Sequence, residues 1–318
     1  MMALAPAGAA AASHRFRRCW PVEDGSPLAC LFLFHGTHEH SGRYDAFAKA
    51  CASRGIEVHA MDFQGHGRSG GARGDIGSLE AAVNDATELV TTVCARSTTR
   101  LPIALFGHSL GSMITFLAAH KLSTDEALRT PDMVVLSGFA MDSVSPPFGL
   151  QLLTPVLRSA PSVVRAVTAV LARLQPQGPA CPLPAAHELT RCPEQAAAVQ
   201  HDPLHHHGWI QNRTALALLD GRARCQQLLP VWGCGFPFLL VHGGEDELCP
   251  RSACEALMAA SPQCDKELKV FPGLLHEVLF ERRDMRERVQ AHILDWLEPR
   301  LRVAAASQHD AQPLRSKL

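Results

Sequence analysis

The feature that most constrains this chain is the segment Gly-His-Ser-Leu-Gly at residues 107–111, where Ser109 has a glycine two residues away on each side. A short apolar run at 101–106 precedes it, and apolar residues at helical spacing follow it from 112 to 122. This pattern predicts a buried parallel strand, a sharp turn and a helix. Such a turn presents the serine hydroxyl above the sheet, beside the positive end of the helix. We therefore predict that Ser109 is a nucleophile rather than a serine in an ordinary tight turn.

Around this turn, strand-like and helix-like segments alternate along the chain. The alternation predicts the α/β class, with a mostly parallel central sheet covered by helices on both faces. Catalytic groups in such sheets gather in loops at the carboxyl ends of the strands. Besides the strand before Ser109, apolar strands are predicted at 29–34, 56–63, 133–136, 236–241 and 268–271.

Composition excludes several classes of protein. The 318 residues are 47% hydrophobic with a net charge of −1, so they can bury a large core and carry no basic patch for nucleic acid. No apolar run reaches the length of a membrane-spanning helix. The 11 cysteines lack paired metal-type spacing, which predicts free thiols in a reducing compartment.

A serine nucleophile needs a base and an acid that orients the base. In a sheet of this kind the acid follows the serine along the chain and the histidine comes last. Asp246 is the leading acid, directly after an apolar strand, although its neighbours Glu245 and Glu247 compete for the role. His276 is the histidine candidate, since it lies between the last predicted strand and the last helix.

Backbone amides are predicted to stabilise the oxyanion of the reaction intermediate. One belongs to Leu110, directly after the nucleophile, and the other to Thr37, in the loop after the first core strand. Gly36 precedes Thr37 and lets that loop approach closely, because it has no Cβ. The adjacent histidines at 205–207 are predicted to be loop residues, since three neighbouring side chains cannot converge on one ion. We expect no metal and no cofactor, because water is the only second substrate.

Six segments make the chain resemble the monoacylglycerol lipase family of α/β-hydrolases (serine aminopeptidase S33, Hydrolase_4-like). They occur in the family's order and span about residues 30–300. They are H-G-T-H-E-H-S-G-R-Y (35–44), D-F-Q-G-H-G-R-S (62–69), G-H-S-L-G (107–111), H-D-P-L (201–204), H-G-G-E-D-E-L-C (242–249) and P-G-L-L-H-E (272–277).

The resemblance implies a serine hydrolase that releases a fatty acid from a glycerol ester, with a helical lid inserted after the strand at 133–136. It implies a triad of Ser109, Asp246 and His276, and oxyanion donors at Thr37 and Leu110. It also places Glu39 and Arg43 near the polar head group of the substrate. Cys249 resembles a thiol near the site, which predicts sensitivity to thiol reagents.

The chain departs from the family pattern at four positions. Ser112 stands where the family has a second glycine, and His38 stands where it has a small residue. Val199 and Leu279 replace a tyrosine and a histidine, which removes two polar contacts to glycerol. Buried polar partners contribute strongly to discrimination between substrates. Strict preference for monoglycerides therefore does not follow from the resemblance.

We divide the chain into five parts: an N-terminal extension (1–22), a first core part (23–142), a lid insertion (143–208), a second core part (209–302) and a C-terminal tail (303–318). Within the lid, Pro161 is predicted to begin a helix with an apolar stripe from Val163 to Leu174 and with Arg165 and Arg173 opposite. This stripe either packs over the site or contacts a membrane or lipid surface peripherally.

The tail ends in Ser316-Lys317-Leu318. A free C-terminal S-K-L is bound by the peroxisomal import receptor, which predicts a peroxisome or glycosome location. The alternative location is the cytoplasm, with peripheral membrane association.

The sequence thus predicts a serine carboxylic-ester hydrolase that forms an acyl-enzyme on Ser109 and acts on monoacylglycerol or a similar lipid ester. A lysophospholipase or acyl-CoA thioesterase using the same triad is the first alternative. A catalytically silent fold that only binds a ligand is the second.

Overall fold

A computed structural model of the chain describes residues 14–23, 25–97, 99–141 and 160–310. Its main sheet has seven strands in the order β1-β3-β2-β4-β5-β8-β9. β1 runs antiparallel to β3, and all other neighbours are parallel, which confirms the predicted α/β class. The strands are β1 (Arg17–Trp20), β2 (Ala29–Phe34), β3 (Ile56–Met61), β4 (Ile103–His108), β5 (Met133–Ser137), β6 (Pro179–Cys181), β7 (Ile210–Gln211), β8 (Phe238–Gly243) and β9 (Lys266–Phe271).

Helices cover both faces of this sheet, and short helices lie in the insertion. The α-helices of the described residues are α1 (Asp45–Ala52), α2 (Leu79–Arg96), α3 (Leu110–Thr124), α4 (Pro161–Leu174), α5 (Ala186–Leu189), α6 (Pro193–His201), α7 (Asn212–Leu228), α8 (Arg251–Ala260) and α9 (Arg283–Asp310). Two 3₁₀ helices, Ser41–Tyr44 and Val278–Phe280, lie between them. Among the described residues, no helix is both long and apolar enough to cross a membrane.

The central strands are buried on both faces because their side chains alternate between two separate hydrophobic clusters. Phe32 and Phe34 of β2 pack with α2, α3 and α8 on one face. Leu31 and Leu33 of the same strand pack with α1 and α9 on the other. Burial on both sides explains why these strands are almost entirely apolar in sequence. The sheet then fixes the loops at its carboxyl edge.

Two predicted boundaries are wrong. The N-terminal extension does not include residues 17–20, because they form β1 and pair with β3 from Arg17 opposite Met61 to Trp20 opposite Val58. The core does not end at 302, because α9 continues to Asp310. Two buried residues, Ile293 and Leu301, dock α9 on the sheet. Residues 1–13 and 311–318 lie outside the described part of the chain, so the predicted import signal lies outside it too.

The insertion contains α4, α5, α6 and the antiparallel pair of β6 and β7. We call residues 160–211 the cap. α4 begins at Pro161, as predicted, and packs along α7. The first part of the predicted lid, residues 143–159, lies outside the described residues.

Candidate active site

Ser109 occupies the turn between β4 and α3, as the sequence predicts. Its backbone has φ 53° and ψ −122°, a strained conformation for a residue with a side chain. Steric contacts require glycine at both positions that flank Ser109. A Cβ at Gly107 would collide with the carbonyl of Gly111, and one at Gly111 would collide with the carbonyl of Phe34. The turn therefore forces the Ser109 side chain out of the packed interior.

The loop after β2 lies against this turn. A Cβ at Gly36 would lie 2.8 Å from Oε1 of Glu39 and 3.2 Å from Cβ of Ser109, so glycine eases the close approach. Leu110 is the first residue of α3, and its amide has no partner within the helix. The amide of Thr37 has no acceptor among the described residues. Both predicted oxyanion donors are therefore unpaired beside Ser109; their role in stabilising the oxyanion stays a prediction.

His276 and Asp246 are brought together from different strand ends. Nδ1 of His276 lies 2.8 Å from Oδ2 of Asp246, and both side chains are buried. The other carboxylate oxygen accepts the amides of Leu248 and Cys249 at 2.9 Å each. In the neutral imidazole this contact fixes the tautomer, because Nδ1 donates its proton to the carboxylate and Nε2 then carries the lone pair.

The neighbouring acids are placed differently. Glu245 is exposed and pairs with Arg191 of the cap, and Glu247 is exposed. Asp246 is the buried member of the three and the one that contacts the histidine. The geometry therefore favours Asp246 as the orienting acid.

His276 also lies next to the nucleophile turn. Its ring centroid is 4.8 Å from that of His108, the residue before Ser109. The amide of Ser109 donates to the carbonyl of Ser137 at 2.9 Å. Gly138 follows Ser137 with φ 54°, and a Cβ there would lie 2.8 Å from Cε1 of His276. The imidazole thus occupies space that only glycine leaves open.

Charge and burial perturb both groups. Burial alone would lower the pKa of His276, but the Asp246 carboxylate raises it well above the usual value, and contact with the Cys249 thiol adds to the increase. Burial opposes ionisation of Asp246, yet His276 and the backbone amides lower the pKa of that carboxyl. Asp246 is therefore ionised at neutral pH. Because Cys249 touches His276, a modified thiol would displace the ring; the predicted sensitivity to thiol reagents stays a prediction.

Glu39 and Arg43 belong to a buried ion network behind the loop. Oε1 of Glu39 accepts the amide of Gly36 at 2.5 Å and the hydroxyl of Tyr44 at 2.7 Å. Arg43 donates to Glu39 at 2.6 Å and makes two parallel contacts of 2.8 Å with Glu277. Two carboxylates and one guanidinium give this network a net charge of −1.

The ion network holds the loop after β2 in place through the Glu39 carboxylate, which accepts the amide of Gly36. Burial opposes the charge of Glu39, but Arg43 lowers the pKa of that group far below the usual range, so it stays ionised. The predicted contact of Glu39 and Arg43 with a substrate head group stays a prediction. Sequence reasoning missed Glu277, although its position directly after His276 was a usable signal.

Cap residues close over these loops. The amide of His206 donates to the carbonyl of His38 at 3.0 Å, and Arg191 donates to the carbonyl of Gly273 at 2.9 Å. The amide of Glu277 donates to the carbonyl of Leu189 at 2.8 Å. The cap is therefore attached both to the loop after β2 and to the loop that carries His276.

One group of cap and core residues has donor atoms close enough for a metal ion: His40, Asp202 and His205. Nδ1 of His40 accepts the amide of Gly42 at 3.1 Å, so its Nε2 carries the proton and donates to Asp202 at 2.8 Å. Both ring nitrogens of His40 are thus engaged, one as acceptor and one as donor. We therefore regard this group as a hydrogen-bonded link between core and cap.

Comparison with known proteins places the chain among serine hydrolases. Residues 25–283 match the Hydrolase_4 family, described as serine aminopeptidase, S33. The chain is 35% identical to a monoacylglycerol lipase of Mycolicibacterium smegmatis, over 81% of this chain and 84% of the relative. It is 28% identical to the monoglyceride lipase of Rattus norvegicus, over 92% and 89%. The crystal structure of Paleococcus ferrophilus monoacylglycerol lipase shares the fold, with a TM-score of 0.74, 24% identity and coverage of 90% and 99%.

Proposed function

Because this chain belongs to the serine aminopeptidase S33 family together with monoacylglycerol lipases, and is thus a serine ester hydrolase, we propose that it releases a fatty acid from monoacylglycerol through an acyl-enzyme on Ser109. The observation that carries the proposal is the paired His276 and Asp246, packed beside the strained turn of Ser109 with Nε2 of His276 unpartnered. Family membership also argues against a silent ligand-binding fold.

In this mechanism Nε2 of His276 accepts the proton of the Ser109 hydroxyl as its oxygen attacks the ester carbonyl. The carbonyl oxygen becomes an oxyanion, which accepts hydrogen bonds from the amides of Thr37 and Leu110. The intermediate collapses, the ester C–O bond breaks, and the alcohol leaves with the proton from His276. Water then attacks the acyl-enzyme with His276 again as base, and the fatty acid is released. Asp246 stabilises the imidazolium in both halves.

The charge of the site favours a neutral head group. Arg43 is enclosed by Glu39 and Glu277, so its charge is already compensated. A phosphate beside this network would face a net negative charge, which disfavours lysophospholipids and acyl-CoA.

The test is turnover of matched substrates by the purified full chain. We expect 1-oleoylglycerol to be cleaved with higher kcat/KM than oleoyl lysophosphatidylcholine or oleoyl-CoA, and Ser109→Ala to lose all three activities. Labelling by a fluorophosphonate probe should depend on Ser109 in the same way. Faster cleavage of either phosphate-bearing substrate would replace the proposed substrate, and activity in Ser109→Ala would overturn the mechanism.

The cap supports a further part of the proposal, peripheral contact with a lipid surface. Along α4, Val163, Val167 and Val170 are exposed to solvent by 59%, 54% and 57%. Leu174 is 73% exposed, and Trp209 of the cap is 52% exposed. Exposed apolar residues on one face of a helix are typical of binding at a membrane interface. We propose that α4 docks on the lipid surface that supplies the substrate.

This docking is tested by co-sedimentation with phosphatidylcholine vesicles. We expect Val167→Glu to reduce the bound fraction severalfold and to leave hydrolysis of a water-soluble short-chain ester unchanged. Val303→Glu is the matched control, because Val303 is 67% exposed, somewhat more than Val167, but lies on α9. Equal binding by both variants would contradict the proposal.

We also propose import into peroxisomes or glycosomes through Ser316-Lys317-Leu318. The support is the motif itself, since the import receptor binds a free S-K-L end. A fluorescent protein fused before residue 1 should give punctate, peroxisomal fluorescence. Deletion of Leu318 should make it diffuse, and an unchanged pattern after the deletion would contradict the proposal.

A further inference from the structure

His38 is one of two non-glycine residues with a positive φ in the described chain, and the other is Ser109. Its φ is 66°, and its side chain is buried with a residue exposure of 2%. A histidine in this conformation is strained, and such strain persists where the surroundings hold it in place. His38 directly follows Thr37, so this strain lies beside a predicted oxyanion donor.

The imidazole of His38 has unused hydrogen-bonding atoms. Both of its ring nitrogens are buried without a partner in the described structure. His66, in the loop after β3, lies beside it with a ring-centroid distance of 6.0 Å. Nδ1 of His66 donates to the carbonyl of Gln64 at 2.7 Å, which leaves Nε2 as a bare acceptor, also buried and unpartnered.

The surroundings show why these atoms remain unused. The ring of His206 packs edge-on against His38 with centroids 4.6 Å apart, and the His206 amide holds the His38 carbonyl. Burial, followed by the nearby imidazoles, lowers the pKa of His38 to about 2 and that of His66 to about 3. Both rings are therefore neutral at physiological pH. Together they offer one N–H donor and two lone pairs.

Nε2 of His276, which must face the reacting ester, is buried and unpartnered in the same way. A buried polar atom without a partner destabilises a fold, so each one calls for an explanation. His38 and His66 share this property with His276, and the amide of His206 ties the loop of His38 to the cap.

We propose that His38 and His66 form a subsite beside the oxyanion loop that binds an uncharged hydroxyl group in the alcohol part of the substrate ester. A hydroxyl both accepts and donates, so it accepts from His38 and donates to a lone pair of His66. The two rings are neighbours, with centroids 6.0 Å apart, and a hydroxyl bound by both would lie about 2.8 Å from a nitrogen of each. The inference rests on the proposed esterase function and specifies how the head group is recognised.

A charged head group fits this subsite poorly. The rings are neutral, so they offer no positive charge to a phosphate. The adjacent network of Glu39, Arg43 and Glu277 carries a net negative charge. His38 and His66 carry the polar groups that Val199 and Leu279, the apolar residues at two positions where the family has polar ones, do not. Discrimination is expected to come from these two histidines, since the loss of a buried hydrogen-bond partner penalises the wrong substrate.

The experiment compares two water-soluble esters of one acid: 1-butyrylglycerol, which has free hydroxyls, and propyl butyrate, which has none. We expect the wild-type chain to prefer the glycerol ester in kcat/KM. His38→Gly suits the positive φ and removes the ring, and His66→Phe keeps the ring volume and removes the lone pair. Each should lower kcat/KM for 1-butyrylglycerol about tenfold more than kcat/KM for propyl butyrate.

His38→Asn is the conservative variant, because asparagine tolerates a positive φ and its amide both donates and accepts. It should restore part of the preference. A structural role alone would lower kcat/KM for both esters equally, and that result would overturn the proposal. So would a wild-type chain without preference. If Ser109-dependent cleavage of 1-oleoylglycerol persists in that case, the proposed function stands and the subsite alone fails.

Discussion

The core side of the site and the cap differ in how completely their side chains are bound. On the core side, Asp246, Glu39 and Arg43 are buried, and each contacts at least two partners. In the cap, α4 leaves its apolar valines exposed, and Arg165 forms a salt bridge to Asp220 that is largely in solvent.

This difference indicates that the core side is suited to the chemistry and the cap to surface contact. Bond making requires groups held to within a fraction of an ångström, and the buried, paired core supplies that. Surface contact requires exposed apolar area, which the cap supplies. Substitutions should therefore have large effects in the core and small effects in the cap.

The largest expected effect is on the orienting acid. Asp246→Asn keeps the volume but removes the charge that holds the His276 tautomer. We expect kcat to fall about 10⁴-fold. Steady-state kinetics measure the loss, and circular dichroism checks that the fold is kept. A loss below tenfold would show that another acid orients His276.

Next is a stability effect that compares the two regions directly. Arg43→Met leaves Glu39 and Glu277 buried without their common cation. Removing one partner of a buried ion pair costs about 3–5 kcal/mol of unfolding free energy. Arg165→Met in the cap is the matched control, and an exposed pair contributes about 0–1 kcal/mol. Urea unfolding measures both values, and equal losses would contradict the comparison.

A smaller loss of activity is expected from Gly138→Ala. The added methyl lies 2.8 Å from His276, so the ring must move. We expect a fall of about 10²-fold in kcat, the effect of a displacement of about 1 Å. Gly25→Ala is the control, because Gly25 also has a positive φ but has no atom within 4 Å of the added methyl. Similar losses in both variants would assign the effect to backbone strain.

The smallest expected effect is a shift of the pH profile. His276 acts as a base only when neutral, and its pKa is raised above the ordinary value. Activity should therefore rise with pH through that raised pKa and be lost as pH falls below it. In Asp246→Asn the residual activity should keep its acidic limb but at lower pH, because the carboxylate no longer favours the protonated ring. An acidic limb at the same pH in both proteins would contradict this assignment.

The fold class and the positions of the main site residues could be predicted from the sequence, because their signals lie in short runs of neighbouring residues. The G-x-S-x-G turn and the apolar strands are encoded in neighbouring residues, and the structure contains them close to the predicted positions. Errors occurred at the chain ends. β1 carries two arginines, so it has no apolar signal of its own and is recognisable only from its pairing with β3.

The sequence predicted less well which side chains contact each other within the site. The sequence favoured Asp246 but left its neighbours Glu245 and Glu247 as alternatives, and burial and contact with His276 distinguish Asp246 from them. Glu39 was expected at a head group, but in the structure it holds the amide of Gly36. Such contacts join segments far apart in the chain, so no local pattern reports them.

Local sequence patterns determined the positions of the apolar strands along the chain, the nucleophile turn and the residue types that the proposed chemistry at Ser109 requires. These follow from hydrophobic periodicity and from the backbone freedom of glycine, both of which act over a few residues. The tertiary structure alone decided which of the three adjacent acids contacts His276, that Arg43 is enclosed by carboxylates, and that His38 and His66 keep unpartnered nitrogens beside the loop after β2. Those outcomes depend on burial and on distances between loops from separate strands, which exist only once the sheet has formed.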